Sequence, residues 1–420
     1  MEVISSHKTE KEKFEIRDLI IKNNLKFYIL NGIFYTVVSN MYKAYGQKFI
    51  FRLGGGELYI SLFNSLPGLV AVLALLPGVY FISKSKHKTR LISILFLIGR
   101  LFVISFAMVP FLPAHMQPMA FVILMALMFF PESIATNALQ SLSADFFPVN
   151  DRAHAIANRN KWSTFFSTLS LLILGQTMRV FGTTNENAIK VYQIFFLCAF
   201  IFGIFEIISY TKLKEVEVAQ PMAAEGLIQS MKDVFKNKPF VIFLSCSLLF
   251  HFGWQMGWPL FGIYQIKYLG ADEMWLTILA VTSQLAMVAS FTFWQRQISK
   301  RGLKTIVAIS TFGMALTPII FMLSPNLYIL NVVGIVTGFF TSGCITSILC
   351  STIDAAPDKD RMVYMNVHAT LTNITLFISP LVGNLLLGLL GIKTALLLTA
   401  LFRFIGSFAF FIRRRQRKIV

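Results

Sequence analysis

Apolar runs of about 20 residues recur along the chain, separated by short polar segments. A run of that length crosses the hydrocarbon core of a bilayer as a helix. The pattern predicts twelve spans, at 27–49, 57–82, 91–112, 118–141, 161–181, 189–210, 239–262, 273–294, 304–323, 326–350, 363–389 and 393–412. The first is the least uniform, because Asn31, Asn40 and Lys43 interrupt it, and the eleventh follows a polar loop without a sharp edge. No polar stretch is long enough to form a separate soluble domain. The expected fold class is therefore an all-α membrane protein.

The loops test this layout. With a cytoplasmic N-terminus, the inner segments carry 29 Lys and Arg and the outer loops 7, while Arg100 and Arg403 lie within spans. Such a bias fixes orientation by the positive-inside rule and places both termini in the cytoplasm. It also changes the meaning of the +18 net charge, which would otherwise suggest nucleic acid. The charge sits where it holds loops inside and meets anionic lipid, as the terminal Arg413–Lys418 run also does. Only 14% of the 420 residues are charged, against about 25% in soluble domains. Cys198, Cys246, Cys344 and Cys350 all fall in apolar runs without metal or disulfide spacing, so they read as packing residues.

The longest polar connector, 212–238, falls at mid-chain, and its Gly226–Lys238 stretch has the pattern of a short amphipathic helix. The expected organisation is a cytoplasmic tail (1–26), a six-helix bundle (27–211), a central cytoplasmic loop (212–238), a second six-helix bundle (239–412) and a basic tail (413–420). An internal repeat supports the two pseudo-symmetric bundles. Asp145, Pro148 and Arg152 follow span 4, and Asp354, Pro357 and Arg361 follow span 10, both as Asp-x-x-Pro-x-x-x-Arg. Many transporters are built from such repeated halves around a site at mid-membrane.

With these features the chain resembles the major facilitator superfamily over nearly its whole length. The resemblance rests on the 6+6 layout, the central loop, the basic loops 83–88 and 296–304, and the two Pro-x-x-x-Arg loops. It implies two bundles rocking about a central cavity lined mainly by spans 1, 4, 7 and 10. It also implies a gating role for Asp145, Pro148, Arg152, Asp354, Pro357 and Arg361. The departures are specific. The acidic residue of the family's loop 2–3 signature is absent, Ser83 standing nearest to it, and loop 8–9 lacks its acidic residue too. Span 5 reads Leu174-Gly175-Gln176, without the proline of the family's drug/proton antiporters.

Ionisable side chains inside spans are costly, so each is a candidate site. Arg100 in span 3 and Glu132 in span 4 lie at the same depth on neighbouring helices, which predicts a buried ion pair. Such a pair either locks the helices together or exposes Glu132 to a cavity as a proton site, beside the ladder break at Pro131. Glu206, about five residues from the end of span 6, reads as interfacial, and Arg403 as snorkelling or bound to helix carbonyls. In span 7, His251, Trp254, Gln255 and Trp258 share one helical face, with Gly253, Gly257 and Pro259 making the helix deformable. That face fits either a cavity wall for an organic solute or helix packing with an aromatic belt. Asn31, Asn40 and Asn137 are further polar candidates, each equally suited to interhelical hydrogen bonding.

No phosphate loop, nucleophile elbow or metal cluster occurs, so neither an enzyme nor an ATP-driven pump is expected; Gly54-Gly55-Gly56 reads as a turn. The expectation is secondary transport of a small organic solute by alternating access, without a cofactor but with coupling to H+ in view. Efflux of amphipathic compounds, uptake of a nutrient, and a non-transporting sensor or scaffold are the alternatives. A monomer in a bacterial plasma membrane, with substrate and lipid as its only partners and no nucleic acid, completes the reading.

Overall fold

The computed structural model describes residues 2–85, 88–214, 233–357 and 361–415. Every regular element among them is helical. In chain order these are α1 (Glu2–Lys43), the short α2 (Gly46–Arg52), α3 (Glu57–Lys84), α4 (Lys88–Phe106), α5 (Gln117–Phe146), α6 (Val149–Phe181) and α7 (Asn185–Thr211). They continue as α8 (Lys238–Ile263), α9 (Glu273–Arg301), α10 (Leu303–Leu323) and α11 (Leu327–Ala355). The final helical stretch, Arg361–Arg415, breaks at Gly391, whose φ of 79° is left-handed, giving α12 (361–390) and α13 (392–415). Glycine is required there because a Cβ disfavours that conformation.

Among the described residues, ten helical segments are long and apolar enough to cross a membrane. One of the ten, Val363–Arg413, is two helices joined at Gly391. Adding α1, whose polar first half lowers its average, brings the set to twelve, in agreement with the hydropathy pattern. Large apolar side chains such as Leu101, Phe165, Ile173, Phe205, Val332 and Leu385 point outward. In water so many would be unusual, but they suit a surface facing lipid. Several boundaries differ from the sequence pattern: α1 begins at Glu2 rather than at 27, and α4 ends at Phe106 rather than at 112. α1 ends at Lys43, and 46–52 turns away as α2 rather than completing the first span. α6 starts at Val149, twelve residues before the apolar run, so polar residues such as Asn158 and Arg159 are helical too. The proposed amphipathic segment at 226–238 lies largely outside the described residues.

Side-chain caps set several helix starts. Asn237, Asp272 and Asn326 each accept from a backbone N–H three residues on, opening α8, α9 and α11. The first half is held by α1 against α6 and α7, and by α5 against α3 and α4. The second is held by α8 against α12 and α13, with α11 against α9 and α10. α3 on α12 and α6 on α9 join the halves. At Gly68 of α3, an added Cβ would stand 2.5 Å from the Asn373 carbonyl oxygen of α12, so only a glycine permits this approach.

The two ends of the bundle differ. At the terminal end, Asn24 of α1 donates to the carbonyls of Phe146 (3.0 Å) and Lys214 (2.7 Å), and Arg413 lies over Phe243 at the start of α8. At the opposite end, α2 meets the α7 and α9 starts.

Candidate functional site between the two halves

In the first half, one guanidinium serves two carboxylates. Arg100 of α4 is 1% exposed, Glu132 of α5 4% and Glu206 of α7 0%. The expected Arg100–Glu132 pair is present, with NH1 to Oε2 at 3.4 Å. The tighter partner is Glu206, which Arg100 engages through Nε at 3.1 Å and NH2 at 2.9 Å. Glu206 is therefore not interfacial. Its end of α7 is covered by α1, which runs past the apolar region and ties down Lys214 through Asn24. The Tyr42 hydroxyl donates to Glu132 at 3.2 Å, and Asn31 donates to the Glu206 carbonyl at 3.3 Å. With all three groups ionised the cluster carries one surplus negative charge.

The second half buries a cation with no carboxylate. Arg403 of α13 is 0% exposed. It donates to the carbonyls of Gly253 (3.2 Å), Trp254 (3.1 Å) and Met314 (3.0 Å), and to the Thr317 hydroxyl (2.8 Å). It therefore binds helix carbonyls rather than snorkelling. Gly253 and Gly257 make room for it: a Cβ at either would stand within about 3 Å of the Arg403 side chain. The local sequence that suggested a deformable helix thus gives close approach of α8 and α13.

The expected face of α8 divides. Gln255 is buried and spans to α12, accepting from the Thr375 hydroxyl at 2.6 Å and donating to the Thr372 carbonyl at 3.2 Å. His251 joins Ser247 and His368 of α12. The Ser247 hydroxyl lies 2.8 Å from His368 Nε2 and 3.2 Å from His251 Nδ1. His368 was not legible from the sequence, because nothing in its own run pairs it with α8. Trp254 lies between His251 and Trp258, tilted against the first and edge-on to the second, with ring centroids at 5.6 and 6.4 Å. Only Trp258 of the four lines the central cavity.

That cavity, of about 430 Å³, lies between the halves. Lys43, Gln47 and Asn64 contribute from the first half, and Trp258, Gln265 and Ser283 from the second. Its size is within the range of small-molecule sites. Above it, at the α2 end, polar bonds join the halves. Arg52 forks onto Glu273, with Nε to Oε1 at 2.5 Å and NH2 to Oε2 at 2.7 Å. Tyr192 also donates to Glu273 at 3.0 Å, and Lys48 donates to the Ala271 carbonyl at 2.7 Å. Tyr45 meets Thr277 at 2.5 Å, and Lys267 pairs with Glu57. Burial pushes the Lys48 ammonium below the ordinary lysine range. The sequence gives little sign of this set, because each partner lies in a short loop or helix start more than 200 residues from the other, apart from Tyr192 at 81.

The remaining candidates fall elsewhere. Asn40 ties α1 to α6 through Ser167 (3.1 Å) and Ser170 (2.8 Å), while Asn137 is exposed. Pro148 precedes α6 as its N-cap residue, and Asp354 and Pro357 are exposed. The side chains of Asp145, Arg152 and Arg361 lie outside the described residues.

Among the described residues, the helices form two halves around a central cavity lined from both. Residues 243–420 match the model of the Major Facilitator Superfamily. Among solved structures, the nucleoside transporter NupG superposes with a TM-score of 0.71 at 14% identity, covering 95% of this chain and 100% of that one. A bacterial homolog to the human lysosomal transporter Spinster, inward-facing and unoccupied, superposes with a TM-score of 0.69 at 12% identity, covering 95% and 97%. No curated protein matches the chain by sequence. Residues 243–420 are thus similar in sequence to the Major Facilitator Superfamily model, and nearly the whole chain is similar in fold to these two solved transporters.

Proposed function

We propose that this protein moves a small organic solute across a plasma membrane by alternating access, and that the arrangement described is its inward-facing state. The observation that carries this reading is the cluster of bonds that joins the halves at the α2 end, over the cavity. Arg52–Glu273, Lys48–Ala271, Tyr45–Thr277 and Lys267–Glu57 all lie at the α2 end, beside the cavity. The positive-inside bias makes that end extracellular. The set therefore acts as an outer gate, and rocking that breaks it exposes the cavity to the other side. The folds of a nucleoside transporter and of an inward-facing Spinster homolog support solute transport in this architecture.

The charged cluster supplies coupling. The one guanidinium in direct contact cannot neutralise two buried carboxylates, on which Lys43 and Arg159 act only through space, and a surplus buried charge is costly. A proton on one acid removes it. Glu206 holds two of the guanidinium nitrogens, whereas Glu132 has one contact at 3.4 Å and the Tyr42 hydroxyl. Glu132 is therefore the proton carrier, and Tyr42 reports its state to α1. The test is solute counterflow in proteoliposomes, screened with a compound library and repeated under an imposed pH gradient. Wild-type protein should accumulate substrate in response to the gradient. Glu132→Gln should retain counterflow yet lose that response. A Glu132→Gln variant that responds to the gradient like the wild type removes the coupling assignment. Ligand binding without flux of any compound would instead favour a sensor.

A further inference from the structure

We infer that the cavity between the halves selects an organic anion with an apolar, ring-bearing body, an assignment that rests on the transport reading of the same cavity. The argument is electrostatic. Among the described residues no Asp or Glu lines the cavity, but Lys43 and Lys48 do. Lys48 is committed to the Ala271 carbonyl in the outer gate. Lys43, at the last turn of α1, has neither a hydrogen bond nor an ion pair among the described residues, and its ammonium rests 5.5 Å over the Phe129 ring. It is the cation on the wall that is free to meet a ligand.

A second positive charge lies directly behind the opposite wall. Arg403 is held by three carbonyls and a hydroxyl, with no carboxylate partner among the described residues. Two residues in contact with it face the cavity: Thr317, which accepts its NH1, and Phe261, whose ring centroid is 5.2 Å from its guanidinium carbon. Carbonyl dipoles satisfy its hydrogen bonds without cancelling its charge, which in a low-dielectric wall reaches across the cavity. Of the nearest carboxylates, Glu273 is engaged by Arg52 and Tyr192, and Glu132, whose charge reaches Lys43, ceases to balance it once it carries the proton proposed above. In that state a cationic solute would meet two like charges with no counter-ion, and a neutral one would leave Lys43 unmatched.

The rest of the lining gives the body of the ligand. Phe63 from the first half and Trp258, Phe261 and Phe321 from the second offer ring faces, while Gln47 and Asn64 offer amides near Lys43. A carboxylate can accept from Lys43 and these amides while a flat apolar body lies against the aromatic wall.

The test uses one ring system with three heads: 1-naphthoate, naphthalene-1-carboxamide and 1-naphthylmethylammonium. Binding to purified full-length protein is measured by isothermal titration calorimetry. Naphthoate should bind about tenfold or more tightly than either of the others, a difference of about 1.4 kcal/mol. Lys43→Met should abolish that preference and Lys43→Arg should keep it. Because Lys43 is exposed to the cavity, both variants should melt with the wild type. Equal or tighter binding of the carboxamide or the ammonium overturns the assignment, as does undetectable naphthoate binding or an unchanged preference in Lys43→Met. Counterflow separates the two readings. Lys43-dependent naphthoate binding without exchange across the liposome upholds the anion site and removes the transport reading. Exchange of only the carboxamide or the ammonium upholds transport and overturns the anion site.

Discussion

Arg100→Met should destabilise the protein by about 3–5 kcal/mol, the cost of stranding buried charge. The mutation removes the cation that faces Glu206 at 2.9 Å and Glu132 at 3.4 Å, in a site where all three groups are at most 4% exposed. Two carboxylates would then share an apolar interior, with the Tyr42 hydroxyl as a direct donor and Lys43 and Arg159 acting on them through space. The triple variant Arg100→Met, Glu132→Gln, Glu206→Gln should recover most of the loss, because neutral amides of similar shape leave no charge behind. Thermal and denaturant melting of purified protein measures both. A triple variant as unstable as the single one would show that packing of the Arg100 stem against Gly203, rather than charge, holds α4 to α7.

Arg52→Ala should shift the conformational equilibrium toward the state open at the α2 end, by about ten- to a hundredfold. Arg52 makes a forked, charge-assisted contact with Glu273, whose side chain is 3% exposed. Hydrogen bonds to a charged group are worth about 1.5–3 kcal/mol, and each 1.4 kcal/mol is a factor of ten in an equilibrium. The loss is felt only where the pair is formed, and in the opened state Glu273 regains water, so the closed gate is selectively weakened. Spin labels at exposed Asn187 and Ile329, one on each half at this end, read the change as a longer distance population by pulsed electron resonance. The exchange Arg52→Glu with Glu273→Arg should restore the wild-type distribution. A distribution unchanged in Arg52→Ala would mean that Lys48, Tyr45 and the α3–α12 contact hold the gate without this pair.

The residues differ in how far they were legible. Arg100 and Glu132 stand out in the sequence because a charge in an apolar run has few acceptable locations, and equal depth on adjacent spans places them together. Glu206 was misplaced for a physical reason. Distance from the end of an apolar run measures depth only if that end meets water, and here α1 extends over it and anchors Lys214. Arg403 shows the converse. Its burial depends on Gly253 and Gly257, residues that read locally as flexibility but serve close packing. The α8 face was a correct helical pattern with an undecided partner. Helical periodicity says which residues share a face, not what the face meets, and α12 claims Gln255 and His251 while the cavity takes Trp258.

By itself, the sequence marked out the apolar spans that the described helices match, and it carries the charge bias and the repeat from which an orientation and two halves are expected. These follow from the hydrocarbon thickness and the cost of moving charge across it, which act on each segment separately. Only the tertiary structure decided which ions pair and which lysine is left to face the cavity. Those outcomes depend on contacts such as Arg52–Glu273 and Lys267–Glu57, between residues more than 200 positions apart. No local pattern records such contacts, because they exist only once the two bundles have closed against each other.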